Sequence, residues 1–171
     1  MLSYKLLFFL PLISTIFTYP FGVLLGEKTA QYFSSTLISI AAILSWFLFI
    51  SFSSSSSSEI IIPVLEWFFV SGQFFNWGIS VNSLTLLMLT LVLTVSALVH
   101  IYSIEYMSHD NSKVRFMTYL SLFTFCMVAL VVSDNLIQLF FGWEGVGLAS
   151  YLLIGFWHHK KSANLAAMKA F

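Results

Sequence analysis

The sequence predicts an all-α polytopic membrane protein, and three observations carry that expectation. Of 171 residues, 59% are hydrophobic and only 8% are charged, where a soluble domain carries about 25% charged residues. The seven basic and seven acidic residues fall almost entirely between long uncharged runs. Five of those runs approach the ~20 apolar residues that a helix needs to cross a hydrocarbon core of ~30 Å.

Lys5 and Glu27 bracket the first run, which includes Leu6 to Leu25. It loosely fits a cleaved signal peptide, but its length, Pro11, Pro20 and the lack of a clear small-residue cleavage site argue for a spanning helix. An Arg-rich amphipathic transit peptide is absent. Lys28 and Glu59 bracket the second run, with an apolar core from Tyr32 to Phe52. Six serines, Ser53 to Ser58, then cannot bury apolar area and predict a solvated link. Beyond them, Ile60 to Ile79 mixes Pro63, Gly72 and Gly78 with Trp67, Phe68, Phe69, Phe74, Phe75 and Trp77. A stretch so aromatic and so interrupted predicts a hairpin or short helix at the membrane surface.

The third helix is expected over Val81 to Tyr102, the fourth over Phe116 to Ser133 and the fifth from Asn135 to Trp157. A sixth starts near Ser162, its expected N-cap, and ten residues reach only about 15 Å. The chain therefore divides into helices 1 and 2 (1–53), the serine link and aromatic segment (54–80), helices 3 to 5 (81–157), and a basic loop with the start of helix six (158–171).

Charge fixes an expected orientation. The connections 1–2, 3–4 and 5–6 hold Lys28, Lys113, Arg115, Lys160 and Lys161, whereas the opposite side holds Lys5 alone. Short-loop basic residues stay inside, so the N-terminus and the serine link are expected outside. A balanced charge gives no reason to expect nucleic acid as a partner. The single cysteine, Cys126, sits in an apolar run and reads as a small packed side chain. No metal-ligand spacing, phosphate loop or dinucleotide fingerprint is present.

Against that background Glu144 stands apart. It lies ten residues beyond Asp134, about 15 Å along a helix, and so near the bilayer midplane. An ionised carboxylate there costs at least about 2.5–3.5 kcal/mol. It should therefore face protein interior or water, where a carboxyl that gains and loses a proton serves proton transfer. The blander reading is a glutamate that only hydrogen-bonds a neighbouring helix. Gly142, Gly145 and Gly147 flank it and read first as helix-packing positions. Tyr151, seven residues on, shares its face and could bond the carboxyl or an intervening water, or simply pack. Asp134 reads as the N-cap of the fifth helix. His100, near the inner end of the third helix, reads as a satisfied interfacial histidine, with inward proton delivery as the functional alternative. His158, His159, Lys160 and Lys161 read as interfacial anchors and topology signals, against which lipids such as cardiolipin could sit. Glu105, His109 and Asp110 are expected in a solvated loop.

Three segments carry a family resemblance: His100-Ile-Tyr-Ser-Ile-Glu-Tyr-Met-Ser-His109, Arg115-Phe-Met-Thr-Tyr-Leu-Ser-Leu-Phe-Thr-Phe125, and the run from Asp134 to Trp157 with its Gly142-Trp-Glu-Gly-Val-Gly147 core. From about Asn76 onward the chain closely resembles chain 5 of NADH–ubiquinone oxidoreductase, an antiporter-like subunit of respiratory complex I. Asn82 stands where that family often has an acidic residue. The resemblance implies a proton-translocating subunit of the mitochondrial inner membrane, with Glu144 as the buried proton-transfer glutamate and Lys169 at a basic family position. It also implies that a lysine from a later, broken helix pairs with Glu144. Other complex I subunits are implied as partners, and NADH, FMN, iron–sulfur clusters and ubiquinone are implied elsewhere in the complex rather than on this chain. The later helices are expected from a second polypeptide, making a split subunit. Two other readings stay open: a subunit of a cation/proton antiporter, and a structural subunit of the same complex that moves no protons.

Overall fold

The computed structural model describes residues 1–53, 59–70 and 73–170. Within them the element order is α1 (Leu2–Leu25), α2 (Glu27–Ser53), β1 (Ile60–Val70), β2 (Gln73–Val81), α3 (Ser83–Tyr106), α4 (Lys113–Val131), α5 (Leu136–Ile154) and α6 (Lys161–Ala170). The first two helices and α3 to α5 are long and apolar enough to cross a membrane. All five expected spans are thus present. Of the serine link, Ser53 ends α2, and 54–58 lie outside the described residues.

Helices α1 to α4 pack on one another, and α5 joins them chiefly through α4, with α6 against α5. A one-residue corner separates α1 from α2. Gly26 occupies it with φ of 96°, a left-handed conformation that a side chain would strain. Pro11 and Pro20 lie inside α1, which remains helical and contributes Leu7, Phe8 and Leu10 to the core. There Phe8 meets Phe125 of α4 edge-on at 5.4 Å. Most other large apolar side chains point outward, as lipid-facing and partner-facing helices require.

Of the two forms expected between the second and third helices, the hairpin is found. Strands β1 and β2 pair antiparallel, with Ile60 opposite Val81 and Ile62 opposite Ile79. Irregularities between Pro63 and Leu65 and between Glu66 and Phe68 interrupt the ladder, where the missing proline N–H is expected to weaken pairing. The hairpin is bolted to the bundle rather than lying loose on a surface. Ser80 N–H donates to the Val132 carbonyl at 2.8 Å. Gln138 of α5 accepts from Gly78 N–H at 3.1 Å and donates to the Gly78 carbonyl at 2.9 Å. Trp67, Trp77 and Phe141 form a mutual aromatic cluster with centroids 5.2 to 5.9 Å apart.

Two caps differ from expectation. Helix α5 is capped by Asn135, whose side chain accepts from Gln138 N–H at 2.9 Å, not by Asp134. That carboxylate instead accepts from the Asn135 amide at 2.7 Å and lies against Gly78. Helix α6 begins at Lys161, with the Lys160 carbonyl accepting from Ala163 and Asn164 N–H. Ser162 is therefore inside the helix and not its cap. Asn82 caps α3, accepting from Thr85 N–H at 2.8 Å. A carboxylate accepts the same bond, which is why an acidic residue suits that position equally well.

Candidate functional site

Glu144 is the ninth residue of the nineteen-residue α5, about 12 Å from one end and 15 Å from the other. Its midspan placement follows from Asn135 starting the helix and Gly155 ending it. What α5 buries is the opposite side. Gly142 faces α4 so closely that an added Cβ would lie 2.7 Å from Leu130 Cα and 2.8 Å from Leu130 N. Glu144 is two residues on, about 200° further round the helix, and its side chain is exposed. Among the described residues, the chain's own helices leave the carboxyl exposed.

The flanking glycines divide accordingly. Gly145 meets Cys126 Sγ at 2.8 Å from where a Cβ would sit, so Gly142 and Gly145 serve the α4–α5 seam. Cys126 is a buried, packed free thiol. A Cβ on Gly147 would meet nothing within 4 Å. Tyr151 lies on the Glu144 side of α5, but seven residues separate them by about 10 Å along the axis. Tyr151 also lines a cleft of about 450 Å³ between α4, α5 and α6, together with Arg115, Tyr119, Phe156 and His158. Lys169 lies in the last turn of α6 with an exposed side chain, one residue from Met168 on the wall of that cleft.

The basic loops are held together by specific contacts. Lys113 pairs with Glu27 at 2.8 Å, and Arg115 lies over the Phe156 ring at 4.9 Å. Lys160 lies 5.2 Å from the Trp157 ring centroid, a pairing suited to an interfacial anchor. Asp110 is more engaged than a solvated-loop residue. Its carboxylate accepts from Ser112 N–H at 2.7 Å and from the Trp157 indole at 3.1 Å. The backbone bond from Ser112, then the Trp157 bond, hold its carboxyl below the ordinary 3.8. Among the described residues no group of three or more His, Cys, Asp or Glu could hold a metal ion.

His100 is where the structure departs furthest from sequence reasoning. It is satisfied, but it is not interfacial: it is completely buried among helices. Its Nδ1 lies 2.8 Å from the Ser96 carbonyl, and its Nε2 lies 3.2 Å from Ser121 Oγ. Ser121 in turn lies 2.9 Å from Ser14 Oγ and 2.8 Å from Ser34 Oγ. A histidine and three serines, drawn from all four helices α1 to α4, thus meet inside the bundle. No linear motif marks this cluster. The available signal was the helical spacing of small polar residues within otherwise apolar runs, notably Ser14–Thr18 and Ser121–Thr124.

Residues 67–117 match the family described as NADH-ubiquinone oxidoreductase (complex I), chain 5 N-terminus. Residues 133–171 match the transmembrane family of NADH:quinone oxidoreductase and the Mrp antiporter. Subunit L of the NADH-quinone oxidoreductase of Rhodobacter capsulatus is 49% identical over 155 residues, covering 86% of this chain and 21% of that protein. Chain 5 of the NADH-ubiquinone oxidoreductase of Chondrus crispus is 43% identical, and that of Arabidopsis thaliana 45%, each covering 98% of this chain and 25% of the relative. The chain spans about a quarter of the length of the curated relatives that it matches. With five apolar spans, a hairpin between the second and third, and a glutamate at the middle of the fifth, the chain belongs to the chain 5/subunit L family of antiporter-like NADH:quinone oxidoreductase subunits.

Proposed function

We propose that this chain forms the front part of a proton-translocating membrane subunit of respiratory complex I, and that Glu144 is its proton-transfer residue. The observation that carries the reading is a lone carboxylate at the middle of a spanning helix, on the side that this chain leaves open. A carboxyl at that depth is costly in lipid. Its stripe of α5, with Ile137, Phe141, Leu148 and Tyr151 at helical spacing, is therefore a protein-facing surface. Helices from beyond these residues cover it, with a cation among them as counter-ion.

In that setting a nearby ammonium favours the ionised carboxyl, and its withdrawal favours protonation. Electron transfer elsewhere in the complex drives the exchange by moving such charges. This chain carries no redox centre; NADH, FMN, iron–sulfur clusters and ubiquinone act in partner subunits. Tyr151 on the cleft wall and Lys169, one residue from that wall, connect Glu144 with the basic end. The charge bias places that end inside and the N-terminus toward the intermembrane space of a mitochondrial inner membrane.

The test is Glu144→Gln in the native complex, with proton translocation measured per NADH oxidised. The ratio is expected to fall, because the amide keeps size and hydrogen bonding but cannot carry a proton. An unchanged ratio in assembled complex would make the subunit a scaffold. A second reading is favoured by the family match that spans both enzymes: a cation/proton antiporter subunit without redox partners. A mass-spectrometric inventory of the native assembly separates the two, because only the first predicts redox subunits.

A further inference from the structure

The hydroxyl groups around His100 form a file with one consistent direction. Thr124 donates to the Leu120 carbonyl at 3.0 Å, so its oxygen accepts from Ser96 Oγ, with which it is in hydrogen-bond contact. Ser96 has then spent its proton, and toward His100 Nδ1, 3.3 Å away, it can only accept. Nδ1 therefore carries the ring proton, shared with the Ser96 carbonyl, and Nε2 is the acceptor. Ser121 must donate to Nε2, which leaves the Ser121 oxygen to accept from Ser34. Ser14 donates to Ser34 at 3.2 Å. Every donor from Ser14 to Thr124 points the same way.

Both ends of the file meet something other than apolar packing. Near the Ser34 end, Gln31 lies one turn along α2, is buried, and its Nε2 makes no hydrogen bond to protein. A buried amide nitrogen of this kind is ordinarily satisfied by water. At the other end Ser96 and Thr124 line a cleft of about 280 Å³ between α3 and α4. Ser96 and Thr124 are the hydroxyl-bearing side chains of that otherwise apolar lining.

We propose that the α1–α4 core holds a second proton-handling site, separate from Glu144, in which His100 relays a proton between Ser121 and Ser96. The inference rests on the reading of the chain as part of a proton-translocating subunit. Each step conserves atoms and moves no electrons. A proton delivered by water at Gln31 enters at Ser34, and each hydroxyl hands its own proton forward. The Ser121 proton forms a bond to Nε2 as the Nδ1–H bond breaks toward Ser96 Oγ. The Ser96 proton then passes to Thr124, and one proton leaves to water in the α3–α4 cleft. The imidazole ends as the other tautomer. A reverse transfer or ring rotation resets it, as proton chains through histidine and hydroxyls require.

His100→Gln separates this role from a structural one. Glutamine can donate to the Ser96 carbonyl and accept from Ser121, but it cannot take a proton at one atom and release it at another. Ser121→Ala removes only one buried oxygen and is the variant best tolerated by folding. Both are measured in assembled native complex as protons translocated per NADH oxidised. A fall in the ratio for both variants is the expected result. If His100→Gln does not accumulate, Ser121→Ala alone decides, and a lowered ratio supports the relay. A parental ratio in either assembled variant overturns it. Failure of the underlying reading looks different: Glu144→Gln would also leave the ratio unchanged in assembled complex, or the chain would be missing from the NADH-oxidising complex altogether.

Discussion

Gln138 holds the hairpin by both of its polar atoms. It is nearly fully buried, and its amide satisfies the N–H and the carbonyl of Gly78 together. Gln138→Leu keeps the volume but strands both backbone groups away from water, each at a cost of about 1–3 kcal/mol. The hairpin should then detach, read as faster proteolysis within residues 60–81 while α1 to α4 stay protected. Equal proteolysis in parent and variant would mean that the aromatic cluster suffices. Single residues were legible in the sequence in proportion to how unusual their setting was. Glu144 announced itself as a charge in an apolar run, and its depth followed from helix rise alone. Gln138, His100 and Ser121 did not, because their importance lies in partners 21 to 107 residues away along the chain, which no local pattern encodes.

Among the elements, α5 has two faces with different work. One is a seam of small residues against α4, where Gly142 allows backbone contact with Leu130 and Gly145 accommodates Cys126. The other carries Glu144 amid Phe141, Leu148 and Tyr151. Gly142→Val should force the two helices apart, since backbone atoms cannot yield as a flexible side chain does. Overpacking of this kind costs about 1–3 kcal/mol. The expected outcome is lower steady-state accumulation of the assembled complex, with a smaller effect for Gly142→Ala; full accumulation of the valine variant would show that the seam is adjustable. Element existence was readable from charge spacing, since each of the five runs became a helix. Element ends were not, because caps depend on side-chain geometry at a single residue: Asn135 and not Asp134 turns its oxygen onto the Gln138 N–H in the first turn of α5. The hairpin could not be told from a short helix by its aromatic content, and its long-range pairing with Val132 and Gln138 settles the matter.

For the molecule as a whole, the basic end is fastened by polar ties between connections. The Glu27–Lys113 pair joins the start of α2 to the start of α4, and Asp110 joins the 3–4 connection to Trp157 after α5. Because Asp110 titrates below its ordinary 3.8 when folded, its ionised form is the one that the fold prefers. Its contribution is complete above the ordinary value and disappears as pH falls through the lower, folded one. Protection against hydrogen exchange in residues 107–112 and 155–160, corrected for the intrinsic pH dependence of exchange, should therefore be the same at neutral pH and at about pH 5, and should fall only as pH drops below the ordinary 3.8 toward the lower folded value. Asp110→Asn provides the control, since it weakens the charged tie at every pH and should flatten the profile. Loss of protection already near pH 6 would show that Asp110 is not the group that holds the basic end closed.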